Sequence, residues 1–597
     1  MVQSTVRYTK LASEIQDEIE TAHGGSDEDQ VTIYLKQPTN GLQGEAGKKD
    51  TWVRVVMALV LLGIVLVFMI LECNGWWSGL QGAGGNSSYS KIMKTQEEHD
   101  HHLHVGDAKG DDHKGGDHHH HHDHASLYHH AVVLTASDNC SKVGKELLQE
   151  GGNVVDGAVA SLLCLGVVHP HIAGVGGAFS AILYNGTTGS LKVIYSTGPQ
   201  VPSMPYGVPS ILQGVRELHS RWGHSEWRSL FQGAIGLAED GFLIDGILGR
   251  ALEAHEDEIT TSDLCDLFCN ESRHLKSTGM LMSNRNLAEL LRGASLNESH
   301  FPETLAMKLA EDLSLHERPA FSAAVQRSHG EINEPLIAEG EKYTVLSDTS
   351  PLTGLMLSVI LERVREQSVA FQGSGDLNSV AASYASLFNL TWVLNNTGEK
   401  NLGSTELFGL NMRGSHIGVL DRRGNFIIMS ASLNATWGSR RLLPSSGVIL
   451  SSFTTNISHS PYVSFPLVIK ISTDSDPESD GDEGDSELEV IAVAGGLSAV
   501  FNAAILLHNR VDFGMPSAEA VGSPLLHLEQ GTTTAVAVCL SAISNGSDIY
   551  RLLPEWAGRL QEVEECADDS VSMLLRFHAD HVSTHSAPAV TDHTDGY

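Results

Sequence analysis

The sequence predicts an α+β fold, with strands in hairpins and helices in blocks, set behind one membrane-spanning segment. Three observations predict it. Two apolar strand-like stretches, residues 416–420 and 426–432, flank the turn Arg422-Arg423-Gly424-Asn425. Apolar stretches of helical length stand next to one another instead of alternating singly with strands, which argues against a doubly wound sheet. One uninterrupted apolar run, residues 55–71, precedes all of these.

That run (VVMALVLLGIVLVFMIL) decides the compartment. As a helix it spans roughly 26 Å, near the short limit for crossing a bilayer. Trp52 precedes it and Trp76 and Trp77 follow, where interfacial aromatics belong. Lys48, Lys49 and Arg54 flank its N-terminal end, and the next basic residue is Lys91. The positive-inside rule then predicts a type II protein. Residues 1–51 form a cytoplasmic tail without sustained periodicity, 52–72 the membrane helix, and the rest is extracellular or lumenal, at the plasma membrane or in the secretory pathway. A cleaved signal peptide is the rival reading, but the run starts late and is long for one. Ten N-x-S/T sequons, at Asn86, Asn139, Asn185, Asn270, Asn297, Asn389, Asn395, Asn434, Asn456 and Asn545, all follow the run. All seven cysteines follow it too, where disulfides persist; an odd count leaves one over, and Cys73 beside the membrane is the natural candidate.

Residues 73–130 read as a stalk rich in Gly, Asp and His. It holds thirteen histidines from His99 to His130, among them His118, His119, His120, His121 and His122. Imidazole and carboxylate together could bind Zn, Cu or Ni weakly; a solvated spacer whose charge changes near pH 6 is the plainer reading. No metal site is expected in the folded domain. From residue 131 the texture becomes globular. Residues 131–135 read as a strand, 140–151 and 154–168 as helices, and 179–184 and 191–195 as strands. A helix-rich middle extends to about residue 400. After the hairpin come a strand at 490–494 and a buried helix at 497–507. Residues 474–489 (DSDPESDGDEGDSELE) hold nine acids and no base, which predicts a disordered acidic loop. The formal net charge of −35 argues against a nucleic-acid partner, because phosphate would be repelled.

The string Gly151-Gly152-Asn153-Val154-Val155-Asp156-Gly157-Ala158-Val159-Ala160, continuing through His169-Pro170-His171 to Gly174-Val175-Gly176-Gly177, resembles the opening of the gamma-glutamyltransferase (glutathione hydrolase) family. The resemblance extends over residues 131–530 and more faintly to the end. It takes in Ala238-Glu239-Asp240-Gly241-Phe242, Ser432-Leu433-Asn434, Gly438-Ser439, Gly495-Gly496 and Asp512-Phe513-Gly514-Met515. The architecture is similar to that of the membrane-anchored divergent members, the glutathione hydrolase 7 group among them. The resemblance implies a four-layer αββα N-terminal nucleophile hydrolase core, with residues 131–413 matching the large subunit and 414–597 the small one. It implies disulfides Cys140–Cys164 and Cys265–Cys269, and allows a third between Cys539 and Cys566. It implies no cofactor. The reaction it implies is cleavage or transfer of the gamma-glutamyl group of glutathione or a related compound, by a threonine freed by self-cleavage.

The site departs from that pattern. The family's Thr-x-His-x-x-Val becomes Gly414-Ser415-His416-Ile417-Gly418-Val419, so the nucleophile position has no hydroxyl. Ser415 is the neighbouring substitute, one residue out of phase on a strand. The carboxylate-binding Arg aligns with Tyr195. The amine-binding acids align with Phe453 and Asn456, and the family's paired serines with the region of Ser464. Ser432, Asn434 and the oxyanion-hole pair Gly495-Gly496 survive. The first expectation is a weakly active or inactive member of the family. The alternatives are an active hydrolase using Ser415, and a metal-binding stalk protein with the folded domain as its platform. Topology is tested by protease treatment of sealed microsomes: only the N-terminal tail should be trimmed, and loss of the large domain would reverse the orientation.

Overall fold

The structure is a computed structural model. It describes residues 127–347 apart from 203, 297–299 and 340–341; residues 413–453; and, of the remainder, 7–9, 357, 360–361, 467–471, 488–495, 497–523, 525–527, 536–539, 560–563, 570–578, 581–586 and 593–597. The apolar run 55–71, His118–His122, Cys73 and Cys566 lie outside these. Among the described residues no helix is long and apolar enough to cross a membrane.

Two antiparallel sheets form the centre. The first runs in the order His593–Gly596, Ala131–Thr135, Arg413–Asp421, Phe426–Asn434, Ala178–Asn185, Ser190–Ser196, Glu331–Asn333. The second runs Arg7–Thr9, Leu336–Glu339, Tyr343–Ser347, Leu467–Ile471, Leu488–Gly495, Ser570–His578, His581–Ser586, Leu127–Tyr128. Alternation along the strands divides the first sheet between two cores. Ile417, Val419, Met429, Ala431 and Ala181 pack with the helices Asp138–Gln149 and Val154–Val168. Leu420, Phe426, Ile428, Ile182 and Val132 pack with Val345, Val468 and Val490 of the second sheet, and helix Leu497–Leu507 joins that cluster. The layers are therefore helix, sheet, sheet, helix, with the sheet-to-sheet core in the middle.

Helix Val154–Val168 is buried along its whole length, which its run of Val, Ala, Gly and Leu permits. Its start is held by a capping box: Asn153 Oδ1 accepts from the Val155 and Asp156 amides, and Asp156 accepts from the Asn153 amide. Burial alone would raise the Asp156 pKa. His219 and the amides of Asn153, His224 and Ser225 outweigh it and hold the carboxyl below its usual range. Gly144 lets the two helices close, since a Cβ there would stand 2.3 Å from Ser161 Oγ. The disulfide Cys140–Cys164, with Cα atoms 5.4 Å apart, joins the same two helices; Cys265–Cys269 closes a short turn.

Several boundaries differ from expectation. The helix-rich middle, whose helical residues recur at 357 and 360–361, is broken after Arg327. Strands Glu331–Asn333, Leu336–Glu339 and Tyr343–Ser347 follow it, because the second sheet supplies partners that local sequence cannot announce. The stalk ends earlier than expected: Leu127–Tyr128 pairs with His581–Ser586, and the amides of His129 and His130 donate to the Tyr597 carbonyl. Glu489, expected in the acidic loop, lies in a strand, 1% exposed. It is paired with Arg510 Nε at 2.7 Å and the Ser517 hydroxyl at 3.0 Å, which offset its burial. Residues 474–487 lie outside the described set. Finally, Arg7–Thr9 of the expected tail runs antiparallel to the strand Leu336–Glu339. An open edge accepts an extended segment that reaches it. A bilayer crossing at 55–71 would hold the tail on the other side, so this pairing and the crossing exclude one another.

Removing the first disulfide (Cys140→Ala with Cys164→Ala) should lower unfolding stability by about 3 kcal/mol, the chain-entropy value for a loop of this order. Denaturant unfolding of the paired variant measures it; an unchanged midpoint would show that the helices hold each other without the bond.

Candidate active site

The site is built at one end of two adjacent hairpins. Strand Arg413–Asp421 is hydrogen-bonded between Ala131–Thr135 and Phe426–Asn434, with His416 opposite Ser430 and Gly418 opposite Ile428. A β-bulge falls at Gly414: Arg413 lies opposite Asn434, whereas Ser415 lies opposite Ala431. Beyond the bulge the alternation is regular. Ser415 therefore shares its face with Ile417 and Val419, toward the helices, and His416 shares its face with Gly418 and Leu420, toward the second sheet. Ser415 is 2% exposed and its Oγ has no hydrogen-bond partner.

Register places His416 beside Ser430, Ser430 beside Ser180, and Ser180 beside Tyr195. This is a polar row across four strands on the sheet-to-sheet face. The next row, Gly418, Ile428, Ile182 and Val193, is apolar. His416, Ser430 and Ser180 are buried, and His416 Nδ1 and both serine hydroxyls lack partners in the structure. Orphaned buried polar groups are rare and mark functional sites or water positions. Complete burial pushes the His416 imidazole down to about 3, so it is neutral at physiological pH.

On the bulge side of this row stand Gly414, Ser432 and Ala178. Ser432 lies opposite Ala178, and Phe453 packs on Ala178. Ser432 Oγ accepts from the Asn434 amide at 2.8 Å. Asn434 adopts φ 75° and its Nδ2 donates to the Ser452 carbonyl at 3.4 Å and to Ser452 Oγ at 3.2 Å. That amide nitrogen is used internally, so the sequon beginning at Asn434 does not present a free acceptor. The Gly-rich turn passes directly behind: a Cβ on Gly177 would lie 2.3 Å from the Ser432 carbonyl, and one on Gly176 2.0 Å from the Ile449 carbonyl.

Of the residues singled out in the sequence, the structure brings Gly414, Ser432, Asn434, Tyr195 and Phe453 to one end of the hairpins. Ser415 faces away from them. Gly495 ends its strand in the second sheet, opposite Ser570. Asn456, Ser464 and Gly496 lie outside the described residues, as do the stalk histidines; among the described residues no cluster of three or more His, Cys, Asp or Glu could hold a metal. Sequence reasoning missed Ser180 and Ser430 as site residues. Their one signal is a serine at an interior position of an apolar strand, AFSAILYN and FIIMSASLN. What the row offers is hydrogen bonding from neutral groups: a tyrosine hydroxyl, two serine hydroxyls and a neutral imidazole.

The family model described as Gamma-glutamyltranspeptidase matches residues 140–385. Human glutathione hydrolase 6 is 29% identical over 438 residues, covering 73% of this chain and 74% of that protein. The mouse glutathione hydrolase 5 proenzyme is 25% identical over 471 residues, covering 67% of this chain and 81% of that protein. The chain is similar to the gamma-glutamyltranspeptidase family over most of its length. These relatives are of groups 6 and 5 and lend nothing to the expected likeness to group 7. Among solved structures, a cephalosporin acylase from Bacillus halodurans superposes with a TM-score of 0.64 at 16% identity, covering 81% of this chain and 99% of that one. That likeness is one of fold alone.

The buried imidazole makes a pH prediction. Unfolded, His416 takes up a proton near its usual 6.5; folded, only near 3. Between those values the unfolded state binds the extra proton, so this contribution is fully present above about pH 6.5 and is lost as pH falls toward 3. His416→Gln should flatten the stability profile over that window by up to about 1.4 kcal/mol per pH unit. Equal slopes for variant and parent would mean that the imidazole is not buried neutral.

Proposed function

We propose that this gamma-glutamyltranspeptidase-family chain is a membrane-anchored type II protein that has lost the family's glutathione chemistry, wholly or nearly so, and acts by binding. Cleavage or transfer of a gamma-glutamyl group needs a hydroxyl at the start of the small-subunit strand, an amine freed beside it, and charged groups that grip a zwitterion. Position 414 is glycine, and the single observation that carries the reading is the sidedness of its strand. The adjacent hydroxyl, that of Ser415, belongs to the opposite face and is packed toward the helices. Moving it into the site needs a one-residue slip that would turn every following side chain of the strand to the wrong core. Tyr195 and Phe453 stand where the family has charge. Each missing charged partner costs about 2–5 kcal/mol of affinity in such sites. The anchoring half of the reading rests on the apolar run 55–71, its basic N-terminal flank and the distribution of sequons, and it requires that Arg7–Thr9 give up its edge pairing with Leu336–Glu339 in the anchored chain.

The test is mass spectrometry of the intact, deglycosylated chain, together with an assay on a gamma-glutamyl anilide. One unsplit polypeptide without measurable turnover is expected, and Gly414→Thr alone should not restore it. Two fragments divided before Ser415, with turnover abolished by Ser415→Ala, would make the protein an enzyme and the register wrong.

A further inference from the structure

A half-open cleft of about 320 Å³ lies on the outer surface of the first sheet's end, lined by Trp222, Tyr184, Asn153, Asn185, Lys192 and Asn425, among others. Its volume is at the lower end of what holds a small ligand, ~300–1,000 Å³. Aromatic and amide side chains together suit a sugar, whose apolar ring face packs on an indole while its hydroxyls meet amides. Asn185 is at once a wall of this cleft and the first residue of the sequon Asn185-Gly186-Thr187.

The local structure presents Asn185 well. It ends strand Ala178–Asn185 in an exposed turn, where its Oδ1 accepts from the Thr187 and Thr188 amides at 3.0 and 2.9 Å. The carbonyl oxygen is thus occupied on the turn side. The cleft walls are themselves held in place. Asn425 Oδ1 accepts from the Gly186 amide at 2.9 Å, and Asn153 Nδ2 donates to the Trp222 carbonyl at 2.6 Å. Asn153 also caps the buried helix Val154–Val168, so the cleft floor is continuous with the main core.

We propose that this cleft seats the chain's own N-linked glycan, with the first N-acetylhexosamine on Asn185 lying against Trp222. The inference rests on the outer orientation of the domain argued above. In the attachment, Asn185 Nδ2 gives up a proton and bonds to C1 of a sugar activated on a lipid diphosphate. The C1–phosphate oxygen bond breaks and the lipid diphosphate leaves. The seated sugar would cover the exposed edge where the hairpin turn meets the end of the buried helix, tying three segments that are distant in sequence.

The full chain, expressed through a secretory host, is mapped by glycopeptide mass spectrometry at Asn185 and at the exposed sequon residue Asn270. Amidase release is then timed on the native protein. Occupancy at Asn185 is expected, with release about tenfold slower than at Asn270 because the enzyme must wait for the sugar to leave the cleft. Trp222→Ala should abolish the difference. Where that variant folds poorly, Asn185→Gln supplies a second measure: its thermal midpoint should fall below that of the parent, whereas Asn270→Gln should leave the midpoint unchanged. An unmodified Asn185 on a chain glycosylated elsewhere would overturn the proposal while leaving the orientation intact. A chain with no glycan at any sequon would overturn both. Occupancy with equal release rates at the two sites would overturn the seating alone.

Discussion

The two central strands of the first sheet are buried on both faces, and the rest of the site depends on that constraint. Ile417 and Val419 belong to the helix-side core and Leu420 to the sheet-to-sheet core, and Ser415 and His416 follow the same alternation. A shift by one residue would exchange the two sets and leave His416 among the helices. The register is held by pairing on both sides, with Ala131–Thr135 and with Phe426–Asn434, so neither strand edge is free to slip.

Within that frame the polar row is an anomaly that the surrounding packing tolerates. Each unsatisfied buried group costs about 1–3 kcal/mol, and three of them stand in adjacent register positions. They are kept in place by neighbours that are well satisfied: the capped and disulfide-joined helix pair on one side, and the glycine turn pressed on Ser432 on the other. Destabilising polar groups concentrated at one end of a sheet, against an otherwise apolar core, are the usual mark of a binding or reaction site.

The chain separates architecture from chemistry. The layers, the disulfide between the first helices and the Gly-rich turn are set by packing that does not involve the polar side chains at the hairpin end. A fold can persist while its site is rebuilt, because packing and register draw on dozens of apolar residues and the reaction on a handful of polar ones. On the reading proposed above, Gly414, Tyr195 and Phe453 are such replacements, made where the core does not depend on them.

Much of the fold was legible locally. The helix of residues 154–168 and the strand of 131–135 match their sequence periods residue for residue, and the central hairpin was announced by its turn. The absence of a hydroxyl at Gly414 was equally plain, since it is a property of one residue. The strands after Arg327, the inclusion of Leu127–Tyr128 in the domain and the burial of Glu489 were not legible, because each depends on a partner far away in sequence. The polar row belongs to the same class. Ser180, Ser430 and His416 are unremarkable singly; only the pairing of three strands sets them side by side, and register is a property of tertiary structure.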